Sequence, residues 1–193
     1  MTWLPTFLLA TSFVLAVILT IVVGRRFKRY DLTTVATPSG IIDLELAGNG
    51  ACACRIVNAW RATDVLKRAW PNLRLDMFWI PCYAAALALG CALFARVFDG
   101  WWAYLGAALA VGQVLAGLLD YVENIALLGT LADLQRRGAA RAAGGFVDCD
   151  APGADQPRDT PPKIAASCAR MKFRLVSAGL VYIMLGVLFW VLT

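Results

Sequence analysis

The chain has 193 residues, of which 60% are hydrophobic, 16% are charged and none is histidine, with a formal net charge of +5. Soluble globular chains are roughly 45–50% apolar; the excess here is concentrated in long runs, which excludes an ordinary water-soluble domain. Without histidine the commonest general base and the commonest metal ligand are both missing, and the basic excess lacks the focused face with stacking aromatics of nucleic-acid readers.

The first apolar run covers about residues 3–23 and carries no charge. Arg25, Arg26, Lys28 and Arg29 follow it. Charges after the run, not before it, read as an uncleaved anchor with its N-terminus outside.

Residues 24–76 form the first long loop. Its "TPSGIIDLELAGNG" alternates Ile42, Leu44 and Leu46 with Asp43 and Glu45. This suits a short strand or a helical turn opened by Thr37 and Pro38. In "ACACRIVNAWRATDVLKRAWP", Ile56, Trp60, Leu66 and Trp70 recur at roughly helical spacing, with Arg55, Arg61, Lys67 and Arg68 on other sides. The pattern predicts one amphipathic helix, capped by Asn49 and stopped by Pro71. Its place is against the inner membrane surface or the cytoplasmic ends of a bundle.

Further apolar runs cover about residues 77–96, 101–132 and 172–193. The third is interrupted only by Asp120 and Glu123. From Gly138 the composition turns to Ala, Gly, Pro and Asp, which predicts a mobile cytoplasmic linker over 138–163, and Ile164–Arg170 begins the last helix. A crossing needs about 20 apolar residues. The predicted fold is therefore all-α: a polytopic membrane protein with a four-transmembrane-helix bundle and an amphipathic cytoplasmic helix, all one membrane domain.

Charge sets the orientation. Of 18 Lys and Arg, nine lie in 24–76 and eight in 133–174, with Arg96 alone between the second and third runs. Positive loops stay inside. Both long loops are thus expected in the cytoplasm and both termini outside.

Of the six cysteines, Cys52, Cys54, Cys149 and Cys168 fall in these loops, where thiols stay reduced. Cys52 and Cys54 could serve a soft metal. Neither C-x-x-C nor a zinc spacing is present, so no metal is expected. No P-loop, dinucleotide fingerprint or nucleophile elbow occurs, and the residues name no cofactor.

The third run carries the informative pattern. Ala103, Gly106, Ala110, Gln113, Gly117, Asp120 and Asn124 step by three and four, forming one narrow stripe of small or polar side chains. Leu105, Val111, Leu115, Leu118 and Leu119 fall outside it. Gly179, Tyr182 and Gly186 repeat the spacing in the fourth run. Such faces let helices approach closely. Trp101 and Trp102 read as an outer aromatic anchor, which puts Asp120 roughly 28 Å along the helix and close to the inner face of a core about 30 Å thick. The apolar residues 125–132 then project beyond and need cover, which the first-loop helix can supply.

Asp120, Glu123, Asn124 and Gln113 are the candidate polar cluster. Asp120 or Glu123 is expected to pair with Arg25, Arg26, Lys172 or Arg174, which sit at the same level. Two functions fit. One is a non-catalytic subunit, scaffold or assembly factor, with a protein partner or self-association in the bilayer. The alternative is a membrane enzyme or carrier that takes a lipid-like ligand through Asp120, Glu123 and Asn124, in a cavity lined by Tyr83, Gln113, Tyr121 and Tyr182.

Overall fold

The computed structural model describes residues 3–140, 146–150 and 158–192. Their elements are α1 (Trp3–Gly24), α2 (Ile41–Glu45), α3 (Gly50–Ala62), α4 (Ala69–Ala95), α5 (Trp101–Ala139) and α6 (Thr160–Leu192), with 3-10 turns at Arg25–Tyr30 and Leu66–Arg68. Among the described residues there is no strand. Four segments, Thr6–Tyr30, Leu66–Ala95, Trp101–Ala139 and Thr160–Leu192, are long and apolar enough to cross a membrane.

The chain divides into two compact units. The first draws on α1, the later part of α4, the first half of α5 and the later part of α6 (1–25, 78–120 and 171–193). Glycine decides how closely these helices pack. A Cβ added to Gly186 would lie 2.6 Å from the Phe94 ring, one on Gly90 2.7 Å from Ile183, and one on Gly106 2.2 Å from the Tyr182 hydroxyl. Only hydrogen fits at such crossings. The stripe of α5 is accordingly turned inward: Gly106, Gln113, Gly117, Asp120 and Asn124 are buried, while Val111, Leu115 and Leu118 are exposed. Leu105 and Leu119 are half-buried.

The second unit (26–77 and 121–170) has a core of another kind. Leu32, Leu44, Val57, Trp60, Leu73, Leu127, Leu131, Leu134 and Val147 pack there. Trp60 is fully buried, and its indole donates to the Thr37 hydroxyl at 3.0 Å, so its one polar atom is satisfied. The apolar C-terminal part of α5 is covered by protein in this core, with α3 supplying Val57 and Trp60.

Several local expectations are corrected. Residues 41–45 are helical; Gly40, at φ +61°, turns the chain into α2, and Leu44 is buried. Asn49 does cap α3, accepting from the Cys52 amide. The helix stops at Ala62, not at Pro71. Asp64 adopts left-handed backbone (φ 56°) just past the end, and the Val65 amide returns to the Trp60 carbonyl at 3.0 Å. Pro71 lies in the first turn of α4, where amides have no intrahelical partner and a missing N–H costs nothing. The stripe Ile56, Trp60, Leu66, Trp70 is thus divided among α3, a 3-10 turn and α4.

The segment read as a linker is partly built in. Helix α5 runs on to Ala139, and α6 begins at Thr160. Between them, Cys149 is disulfide-bonded to Cys54, with Cα atoms 5.5 Å apart. Asn58 donates to the Val147 carbonyl at 2.8 Å and accepts from its amide at 3.3 Å. Arg55 pairs with Asp150 at 2.9 Å. Residues 141–145 and 151–157 of the expected linker lie outside the described residues. The disulfide also corrects the reading of Cys54 and Cys149 as free thiols, and removes Cys54 as a thiolate ligand; Cys52 is a free thiol.

Candidate functional site

Within the first unit, Asp120 is held by two other helices. Lys172 of α6 donates its ammonium to Oδ1 at 2.7 Å. Tyr83 of α4 donates its hydroxyl to Oδ2 at 2.5 Å. Both are charge-assisted bonds, stronger than neutral ones. Asp120 is 2% exposed and Lys172 7%. The ammonium also lies 5.0 Å from the centre of the Phe173 ring. Both side chains are almost dry.

A cavity of about 340 Å³ has Tyr83, Asp120 and Lys172 in its lining. Val17 and Ile21 of α1, Ala86 and Leu87 of α4, and Val176 and Leu180 of α6 form apolar walls. Ile21, Phe173 and Leu180 are exposed, so the cavity opens on the flank of the bundle. Trp79, also in the lining, is fixed by an indole donation to the Thr20 carbonyl at 3.0 Å, and its ring lies 4.8 Å from that of Tyr83, tilted by 46°. Its volume falls within the roughly 300–1,000 Å³ of small-molecule sites.

The other candidates are placed elsewhere. Of the four residues expected to line a cavity, Tyr83 does so. Gln113 is fully buried against Gly179 and donates to the Leu175 carbonyl at 2.8 Å; its Oε1 accepts no hydrogen bond. Tyr182 donates to the Trp102 carbonyl at 3.1 Å. Tyr121, in the second unit, donates to the Met77 carbonyl at 2.9 Å. That carbonyl is four residues before Pro81, which has no N–H to return to it, so the tyrosine replaces a lost helical bond.

Glu123 and Asn124 belong to the second unit, and both are fully buried. The Asn124 amide donates to Asp76 at 2.7 Å, and its Oδ1 accepts no hydrogen bond. Arg25, Arg26 and Arg174 are exposed; the basic residue at Asp120 is Lys172. Sequence reasoning missed Asp76 as a partner because it sits at the polar edge of an apolar run. It missed Trp79 and the α1 wall because apolar residues on a crossing helix carry no label. Among the described residues, no group of three His, Cys, Asp or Glu is arranged to hold a metal ion.

Outside the spans, two carboxylates are shifted. The Gly50 amide, donating at 2.8 Å, and then Lys163 hold Asp159 below its ordinary value. Asp31 is lowered by the Thr33 amide and hydroxyl. Both organise loops of the second unit.

The chain matches no family model, no curated protein and no solved structure. The functional reading therefore rests on the geometry above.

Proposed function

We propose that this is an integral membrane protein that holds a lipid-like molecule in the cavity between α1, α4 and α6, with the polar end of that molecule at Lys172, Asp120 and Tyr83. The observation that carries the reading is an apolar cavity of about 340 Å³ with a buried ion pair in its lining. Intramembrane ionisable groups are costly and by default mark sites of ligand or proton traffic. A purely structural clamp has no need of a chamber beside it. The cavity's opening among exposed apolar side chains suits entry from the acyl region of a bilayer.

The exposed Leu, Val, Ile and Phe side chains of the first unit support four crossings with these side chains toward lipid. The basic residues of 24–76 and 133–174 support cytoplasmic loops, with both ends of the chain outside. In that orientation α3 is a cytoplasmic helix whose apolar face is spent on Leu127 and Leu131, not on the membrane surface. The Cys54–Cys149 bond is then one that the reducing cytosol opens and oxidising conditions close.

Native mass spectrometry of the gently extracted protein, with solvent extraction of the same sample, tests the reading. The expected result is a stoichiometric lipid-like adduct that Ala86→Trp, which fills the chamber, removes. An adduct indifferent to Ala86→Trp, or a co-purifying protein chain with no adduct, returns the molecule to the class of subunit or assembly factor.

A further inference from the structure

A second groove, of about 560 Å³, lies within the second unit. Its lining includes Phe27, Lys28, Asp31, Thr33, Ile41 and Asn72. Lys28 and Asp31 are exposed, so the groove is open, whereas Asn72 is 5% exposed. The Asn72 amide donates to the Tyr30 carbonyl at 3.0 Å, which fixes the side chain, and no described residue donates to its Oδ1. A fixed, nearly buried acceptor beside a cavity calls for a donor. Asp31 supplies further acceptors. Its two oxygens take one hydrogen bond each from Thr33, from the amide at 3.0 Å and the hydroxyl at 2.8 Å. A carboxylate oxygen can accept two, so each keeps a place. Arg68 bonds Asp31 at its backbone carbonyl, not its carboxylate. Lys28 is the cation of the lining and has no ion-pair partner among the described residues. The groove also has a level. The segment able to cross a membrane, Thr6–Tyr30, ends inside this lining. From Gly24, where α1 ends, to Lys28 is four residues of 3-10 turn, no more than roughly 8 Å at about 2.0 Å each. The headgroup layer on either side of the hydrocarbon core is itself roughly 5–8 Å deep. We infer that this groove holds the head of a phospholipid that carries both a phosphate and a primary ammonium, an aminoethyl phosphate ester. The phosphate meets Lys28. The ammonium brings N–H donors to Asn72 Oδ1 and Asp31. Phe27 and Ile41 give the groove an apolar part that suits the glyceride end of a lipid and not a water-soluble ester. A trimethylammonium head would bring the charge without a donor. The inference rests on α1 crossing the bilayer, not on the occupant proposed for the other cavity.

An open groove exchanges its lipid into detergent, so the test supplies lipid afresh. The purified full chain is offered equal amounts of dioleoyl phosphatidylethanolamine, its N-methyl and N,N-dimethyl forms, and phosphatidylcholine, and native mass spectrometry reads what each chain retains. Phosphate and charge are constant along this series, while the N–H donors fall from three to none. Retention should fall with them, ending roughly tenfold lower for phosphatidylcholine. Asn72→Leu and Asp31→Asn should each flatten the series, and the exposed Asp31 keeps the test open where the Asn72 variant does not fold. Lys28→Gln should weaken all four lipids alike. Ala86→Trp, which fills the other cavity, should leave the series unchanged. Equal retention of the four lipids by the unaltered chain overturns the inference. So does displacement by phosphatidylglycerol, which would mark a merely basic patch, or by water-soluble phosphoethanolamine at the concentration of the lipid. A series that Ala86→Trp flattens assigns the lipid to the other cavity and overturns this inference while sparing that reading.

Discussion

Asp120→Asn is the most informative substitution. The side chains of Lys172 and Asp120 are 8% and 3% exposed and meet at 2.7 Å. Replacing the carboxylate by an amide keeps the volume but removes the charge that faces the Lys172 ammonium in a nearly dry site. Breaking a buried pair by removing one partner costs about 3–5 kcal/mol. With the usual 2–4 °C per kcal/mol for a chain of this size, the unfolding midpoint should fall by roughly 6–20 °C. Asp120→Asn with Lys172→Met removes both charges, and replacement of a buried pair by neutral groups is often neutral or stabilising. The double variant should therefore recover most of the loss. Thermal denaturation of the detergent-solubilised protein, read by fluorescence after size exclusion, gives all the midpoints needed for a double-mutant cycle. A single-variant loss below about 1 kcal/mol, the range of exposed pairs, would refute the claim that the pair is buried and coupled. A double variant as unstable as the single one would refute the assignment of the loss to Lys172.

Gly186→Ala pushes a methyl group to within 2.6 Å of the Phe94 ring and should cost about 1–3 kcal/mol. Gly129→Ala meets nothing within 4 Å on an exposed helical face and should gain up to about 1 kcal/mol, so parallel melting curves must separate in opposite directions. Under oxidising conditions, maleimide should label Cys52 and spare Cys54 and Cys149 until a reductant is added. The same labelling in rapidly quenched cells should find Cys54 and Cys149 reduced; a bond already present there would place the loops outside and reverse the proposed orientation. Asp159 has a folded pKa below its ordinary 3.8. Its contribution is therefore present above that value and lost as pH falls through the folded one. Carboxyl-resolved NMR titration should give a midpoint below 3.8, and Asp159→Asn should flatten the acid limb of the stability profile; an ordinary midpoint contradicts the Gly50 contact.

The four helices able to cross a membrane and the inward stripe of α5 were legible in the residue order. Apolar length is a local, additive property. The spacing that puts Gly106, Gln113, Gly117 and Asp120 on one face follows from helical geometry alone. Residue order also marked 125–132 as an apolar stretch that needs cover and offered the first-loop helix for it; α3 brings Val57 and Trp60 into the core that holds Leu127 and Leu131. What residue order could not decide was local context. Helix ends were misjudged for that reason: Pro71 breaks a helix in its interior but is harmless in a first turn, and the left-handed Asp64 that ends α3 carries no sequence mark.

The choice of partner also belonged to the fold. Residue order offered four basic candidates for Asp120, and only packing selects Lys172, 52 positions away. The bond between Cys54 and Cys149 joins residues 95 apart. The cavity is the extreme case, since it is the space left where α1, α4 and α6 fail to fill one another. Periodicity reports which face of a helix avoids lipid. It cannot report a void, because a void depends on how the side chains of three helices meet at once.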